Sequence, residues 1–299
     1  MTTKMLWILL MATILSGCAT VPPKLHVKDS DLAFGEGTII SGKTGRAVSF
    51  DDMLVDLAAS RVVFVGERHT DAAHHRIQLK IIKAMTDMQL NLAVGMEMFD
   101  ITYQPVLDRW SAGELEQDVF LEKVQWYANW RYDFDLYRDI LDYVKMNRIR
   151  LVGINIPTYL PSRVRVGGLA NLLDVDKAFL PQDIDTANEA HRAYMEPIYK
   201  RHSLHSFAKF DYWYQAQCLW EDAMAASVSR ELADDVMVVL VGGGHIIYKF
   251  GVPDRFFRRT GLPFRTVYLE PAGGQVELAY ADYIWVTPPA REKPHRMGR

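Results

Sequence analysis

The sequence predicts an α/β domain: a mainly parallel sheet flanked by helices, with a helical insert and a C-terminal β-hairpin. Three observations carry this reading. Four short β-branched runs, at residues 61–65, 90–95, 150–154 and 236–241, are apolar at successive positions rather than at alternate ones. That is the pattern of strands buried on both faces. Each run ends in a polar or Gly-rich turn: Gly66-Glu67-Arg68-His69, Met96-Glu97-Met98, Asn155-Ile156-Pro157 and Gly242-Gly243-Gly244-His245. A helical stretch then follows, the repeated order that builds a parallel sheet.

The remaining elements fall around this frame. Residues 35–49 alternate about a turn at Gly42-Lys43-Thr44-Gly45, as in a β-hairpin. Ser49, placed before Asp51-Asp52 and an apolar-periodic stretch to Ala59, predicts an N-capped helix. Thr70 or Asp71 would cap the helix after the first strand. Residues 173–232 are helix-rich and read as an insert forming a lobe over the sheet. Residues 264–269 and 275–280, around Gly273-Gly274, predict the terminal hairpin. The domain is expected over 33–287, after a tether at 18–32 that contains Pro22-Pro23. A Pro-rich, basic, disordered tail is expected at 288–299.

Composition excludes several classes. The chain has 299 residues, 49% hydrophobic and 24% charged, which is ordinary for a globular protein and not for a disordered one. Its 34 Lys and Arg nearly balance 37 Asp and Glu, for a net charge of -3. A nucleic-acid-binding surface draws on a basic excess, and none is present. Past the N-terminal segment no apolar run approaches the length of about 18 residues that spans a bilayer. A polytopic membrane protein is therefore excluded.

The N-terminus carries an address. Lys4 precedes an apolar run from Met5 to Leu15, and Leu15-Ser16-Gly17-Cys18 closes it. This is the pattern of a bacterial lipoprotein signal, with residues 1–17 removed and the Cys18 thiol lipidated, palmitate among the expected chains. Ala19 rather than Asp follows the cysteine, the pattern of sorting to the outer membrane. A lipid anchor would hold the domain at the membrane without a membrane-spanning fold. The only other cysteine, Cys218, has an apolar helical context and reads as a buried, inert thiol.

The strand ends place the candidate site, because ligands of open α/β sheets bind beyond the carboxyl ends of the strands. Glu67, His69, Glu97, Asn155 and His245 would converge there. Two Gly-x-x-His turns present His69 and His245. Two imidazoles with Glu67 or Glu97 make a common three-ligand set for a divalent metal, the other carboxylate serving as base toward metal-bound water. His74 and His75, with Gln78 further along the same helix, make a secondary cleft at a helix N-terminus. His202 and His205 share a face of a helix in the insert. Tyr- and Trp-rich stretches at 126–143 and 194–220 are mostly core, with enough left over to line a flat apolar ligand. Phenolate is a natural ligand of ferric haem, and Arg163, Arg165 or Arg255 would suit its propionates. Gly242-Gly243-Gly244 is neither a P-loop nor a dinucleotide fingerprint, and there is no Gly-x-Ser-x-Gly elbow.

These residues bring a family into view. Val63-Phe64-Val65-Gly66-Glu67-Arg68-His69, with His74-His75 and Gln78, resembles the ChaN family of haem-binding uptake proteins in the Tiki superfamily. The likeness continues through Gly95-Met96-Glu97-Met98-Phe99 with Gln104-Pro105, Trp130 and Tyr137, and Gly153-Ile154-Asn155-Ile156-Pro157. It ends with Gln217, Trp220, Asp222, Met224 and Ala225, then Gly242 to His245 with Gly251-Val252-Pro253. It covers residues 35–287. The resemblance implies an α/β lipoprotein that binds haem through a tyrosine, works in iron uptake with an outer-membrane haem receptor, and pairs as a homodimer around its haems. Tyr103, Tyr159, Tyr212 and Tyr248 lie near the matching motifs and are the candidate ligands. The wider superfamily includes metallopeptidases with paired Gly-x-x-His and Glu motifs. A periplasmic metallohydrolase using His69, His245 and a Glu is therefore the alternative, and whether the chain is an enzyme stays open.

Overall fold

The structure is a computed structural model that describes residues 22–202 and 209–289. The signal segment, Cys18, His205, residues 290–299 and the side chain of His202 lie outside the described residues. Eight strands form the main sheet. In chain order they are β3 (Ile39–Ser41), β4 (Ala47–Val48), β5 (Val62–Glu67), β6 (Leu92–Asp100), β7 (Arg150–Asn155), β8 (Val236–Gly242), β9 (Phe264–Pro271) and β11 (Tyr283–Thr287). Across the sheet they run β4-β3-β11-β9-β5-β8-β6-β7. From β11 to β7 every neighbouring pair is parallel, and the hairpin of β3 and β4 adds the antiparallel edge.

The four apolar runs become β5, β6, β7 and β8, adjacent to one another and almost wholly buried. Helices cover both faces, which is why these strands show no alternation. On one face lie α1 (Phe50–Ala58), α2 (Ala72–Asp87), α3 (Gln104–Ser111) and α6 (Arg138–Met146), whose Leu57, Ile81, Ile82, Leu107 and Leu141 share a core with Val63, Val65 and Val94. On the other lie α9 (Phe210–Glu231) and α10 (Val252–Thr260), whose Met224, Ala225, Val228 and Phe256 pack on Val62, Phe64 and Val239. The caps fall where the sequence places them: Ser49 Oγ accepts from the Asp52 amide at 3.0 Å, and Asp71 Oδ1 from the Ala73 amide at 2.9 Å.

Three expectations need correction. Residues 264–269 and 275–280 do not form a hairpin. β9 is a central strand between β5 and β11, and β10 (Gln275–Val276) pairs in parallel with β1 (Leu25–Val27) in a separate sheet completed by β2 (Ala33–Phe34). A central strand is apolar on both faces, and Thr266, Val267 and Leu269 are buried accordingly. The stretch expected as a tether contains β1, whose Leu25 and Val27 are buried beside Ile40, Val276 and Ile284. The expected insert is no separate lobe at its C-terminal end. The second half of α9 is a layer helix of the sheet, while α7 (Tyr159–Gly167) packs against its first half through Leu160, Val164, Ala216 and Leu219.

Candidate functional site

The carboxyl ends of β5, β6, β7 and β8 bring Glu67, His69, Glu97, Asn155 and His245 to one edge, as the strand order requires. Glu67 ends β5 with its side chain fully buried. Its Oε1 accepts from Tyr137 Oη at 2.6 Å and pairs with His69 Nδ1 at 2.9 Å. His75 Nε2 lies 3.1 Å from Oε2. Burial works against the Glu67 carboxylate, but the hydrogen bonds of His69 and His75 outweigh it and hold its pKa down at about 2. His69 is the member of this group that reaches the surface, its side chain 25% exposed, between the rings of Trp130 and Tyr132. Burial disfavours its imidazolium, yet Glu67 and the Glu97 charge raise its pKa above the usual value.

A second acid–imidazole group sits beside the first. Glu97 Oε2 accepts from the Gly242 amide at 2.6 Å, and its Oε1 is 3.4 Å from His245 Nε2. The other ring nitrogen of His245 is 3.2 Å from Glu221 Oε1 and from Gln217 Nε2. Burial lowers the His245 pKa, but Glu97 and Glu221 together lift it to about 10. His245 is thus an imidazolium at neutral pH, with a carboxylate on either side. Asn155 ties the edge together: its Nδ2 donates to the Glu97 carbonyl at 2.8 Å, and its Oδ1 accepts from Trp220 Nε1 at 2.6 Å.

Gly242 stands close against the His69 ring. A Cβ there would stand 3.0 Å from His69 Cε1 and 3.2 Å from Nε2. The backbone of Gly242 is ordinary, at φ -57° and ψ 138°, so the requirement is space for the His69 ring and not conformational freedom.

The expected three-ligand divalent metal site is not assembled. Among the described residues no group of three His, Cys, Asp or Glu is arranged to hold a metal ion. The side chains are instead paired with one another: Glu67 is shared by Tyr137, His69 and His75, and His245 lies between Glu97 and Glu221. The secondary cleft expected at His74 and His75 is not a cleft. Both are buried. His74 Nδ1 accepts from the Arg68 amide at 2.9 Å and its Nε2 lies 3.3 Å from Thr287 Oγ1, which fixes the turn after β5 to the end of β11. Burial pushes its pKa down to about 4. Arg255 is likewise no partner for a propionate: it is buried and already paired with Asp222 and Glu221.

Glu221 and His191 escaped the sequence reading. His191 Nε2 lies 3.5 Å from Glu221 Oε2, in a buried charge cluster with Arg255, Asp222 and His245. The signal for Glu221 was present: Glu221-Asp222 interrupts a run of apolar residues from Cys218 to Ala225, so two carboxylates had to enter the interior with their helix. Cys218 is buried, as expected, and burial pushes its thiol up to about 12.

The four candidate tyrosines are distributed rather than gathered. Tyr103 Oη accepts from Asn129 Nδ2 at 2.8 Å, and Tyr212 is half-buried against Gly168. Tyr248 sits among the rings of Tyr194, Phe250 and Tyr280. Tyr159, at the start of α7, is 45% exposed and donates to Asp176 Oδ1 at 3.2 Å.

A mainly parallel α/β sheet with acid-paired histidines on its carboxyl edge defines a class before any comparison is made. The comparison then gives the family: the model of the haem-binding uptake family ChaN, Tiki superfamily, matches residues 53–256, and the chain belongs to that family. Among solved structures, the one described as cofacial heme binding to ChaN of Campylobacter jejuni superposes with a TM-score of 0.68 at 20% identity, over 83% of this chain and 95% of that one. It shares the fold. The type III effector HopBA1 (11% identity, 80% and 93% covered) and an erythromycin esterase EreC mutant (14% identity, 78% and 77% covered) are looser likenesses, each with a TM-score of 0.47. No curated protein is significantly similar in sequence.

Proposed function

We propose that this chain is a haem-binding lipoprotein of iron uptake, anchored through Cys18 at the outer membrane and delivering haem to or from an outer-membrane receptor. The observation that carries the reading is the family match over residues 53–256. The surface of α7 supports it. Ferric haem needs a phenolate it can approach and cations for its propionates. Tyr159 is the exposed phenol of the four candidates, and Arg163 lies beside it, its guanidinium carbon 5.7 Å from the ring centre. Arg165 is exposed two residues further along, and the apolar side chains of Val166 and Val175 are exposed nearby in sequence. In this reading Tyr159 holds the iron, Arg165 receives a propionate, Arg163 stays paired with Asp176 at 2.7 Å beside the ring, and the bound haem supplies the iron to be handed on. Pairing of two copies around their haems completes the proposal.

The test is ferric haem titration of the full chain in detergent, followed by absorption, for wild type and for Tyr103→Phe, Tyr159→Phe, Tyr212→Phe and Tyr248→Phe. The phenolate charge-transfer band is expected to disappear in Tyr159→Phe alone. A band that survives all four changes contradicts tyrosine ligation by these residues. Anchoring is tested by metabolic palmitate labelling, which Cys18→Ala is expected to abolish.

A further inference from the structure

We propose that the chain holds the carboxyl edge of its sheet against an anionic phospholipid surface, through the basic residues 290–299 acting beside the lipid anchor. This rests on the proposed lipidation of Cys18 and adds to it a second contact and an orientation.

The chain enters and leaves the fold at one place. The Gly273 amide donates to the Lys24 carbonyl at 3.0 Å, and the Ala272 amide to the Thr287 carbonyl at 2.9 Å. Consecutive residues of one turn therefore hold the stretch before β1 beside the end of β11. That strand runs parallel to β9, as β9 does to β5 and β5 to β8, so Thr287 lies on the same edge as Glu67 and Gly242. Thr287 Oγ1 is 3.3 Å from His74 Nε2, and the other ring nitrogen accepts from the Arg68 amide at 2.9 Å. The exit thus adjoins the turn that carries His69. A cleft of about 210 Å³, lined by His69, Glu97 and Asp100 among others, opens on this edge, and α7 begins beyond the end of β7 with Tyr159.

Reach and charge set the orientation. Residues 19–23 separate Cys18 from Lys24, a span of at most about 20 Å when fully extended. A lipid on Cys18 keeps the exit within that distance of the bilayer but leaves the domain free to turn about its tether. Charge removes the freedom. The whole chain carries -3, yet Arg291, Lys293, Arg296 and Arg299 against Glu292 give residues 290–299 a net +3, which leaves -6 on residues 1–289. An anionic surface draws in the one and repels the other. Each Lys or Arg at such a surface favours the bound population about fivefold, so three net charges amount to about a hundredfold. Lys24 is exposed at the exit and adds to them. The other charges of the rim are offset: Arg68 pairs with Glu270 at 2.8 Å, and Glu36 is exposed beside the Gly37 amide that donates to Val286. With this edge down, the strand-end cleft and the start of α7 look onto the bilayer.

The experiment reconstitutes the full chain from detergent into vesicles of phosphatidylcholine, alone or with one part in three of phosphatidylglycerol, each carrying an energy-transfer acceptor on its headgroups. A donor dye is placed on His26→Cys, exposed in β1 at the exit, or on Met146→Cys, which is 79% exposed at the end of α6 on the opposite edge. The six residues of β7 alone span about 20 Å between those edges. On anionic vesicles at low salt, the ratio of transfer from position 26 to transfer from position 146 is expected to be at least twice that on neutral vesicles. Salt at about 1 M, where screening acts within about 3 Å, should return it to the neutral value. The variant Arg291→Gln, Lys293→Gln, Arg296→Gln, Arg299→Gln should do the same at low salt, whereas Arg291→Lys, Arg296→Lys, Arg299→Lys should behave as wild type. Flotation with neutral vesicles reports the anchor separately, so a chain that fails to float there contradicts lipidation and not this contact, which is still read as salt-sensitive flotation with the anionic vesicles. A ratio indifferent to lipid charge, a ratio unchanged in the glutamine variant, or no flotation with anionic vesicles would each overturn the proposal.

Discussion

The hydroxyl of Tyr137 donates a 2.6 Å hydrogen bond to Glu67 Oε1, the oxygen that also pairs with His69 Nδ1. Seventy residues separate the two partners in sequence, and the bond joins the end of β5 to the segment before α6. It explains how a fully buried carboxylate stays ionised: Tyr137, His69 and His75 replace the water it has lost. Tyr137→Phe should therefore destabilise the fold by about 1–3 kcal/mol, the cost of leaving a buried acceptor short of a donor. Urea denaturation, with an unchanged m-value, is the measurement.

Stability should depend on pH in two directions. Glu67 and Glu221 are held at about 2 against a usual 4.5, so their contribution is complete above about pH 4.5 and is lost as pH falls toward 2. His74, pushed down to about 4, adds to the acid side, because the unfolded chain gains a proton below about 6.5 that the folded chain refuses. His245 works oppositely: raised to about 10, it contributes fully below about 6.5 and is lost as pH climbs through 10. Chemical denaturation from pH 3 to pH 10 should show both limbs, and His245→Ala should flatten the alkaline one.

Gly242→Ala is expected to disturb the site more than the fold. Its Cβ would meet the His69 ring at 3.0 Å, and the backbone angles there suit any residue. The imidazole should be displaced from Glu67, which histidine NMR shifts would register. The melting temperature should fall by only a few degrees, as for about 1 kcal/mol in a domain of this size.

Arg255 compensates two buried carboxylates, Glu221 and Asp222. Removing it as Arg255→Met leaves Glu221 with His245 and Asp222 with Arg259, each short of one buried cation, and a loss of about 3–5 kcal/mol is expected in equilibrium unfolding. The double variant Arg255→Met with Glu221→Gln should recover part of that loss.

The strands and their site residues were legible because burial on both faces writes itself into continuous apolar runs. The turns after them exposed Glu67, His69, Glu97, Asn155 and His245 for the same reason. What could not be read was which side chains the folded chain would pair. Nothing local tells that His74 turns inward to β11 while His69 faces the cleft. Glu221 reaches His245 only because α9 crosses the sheet edge, a tertiary event. The false hairpin at β9 arose from proximity: Gly273-Gly274 does turn the chain, but β10 finds its partner in β1, more than two hundred residues earlier.

Haem binding is the central claim, and ferric haem titration of the full chain tests it most directly. Saturation accompanied by a phenolate charge-transfer band, lost in Tyr159→Phe and intact in His69→Ala, is the predicted result. No saturable spectral change in folded wild-type protein would contradict it.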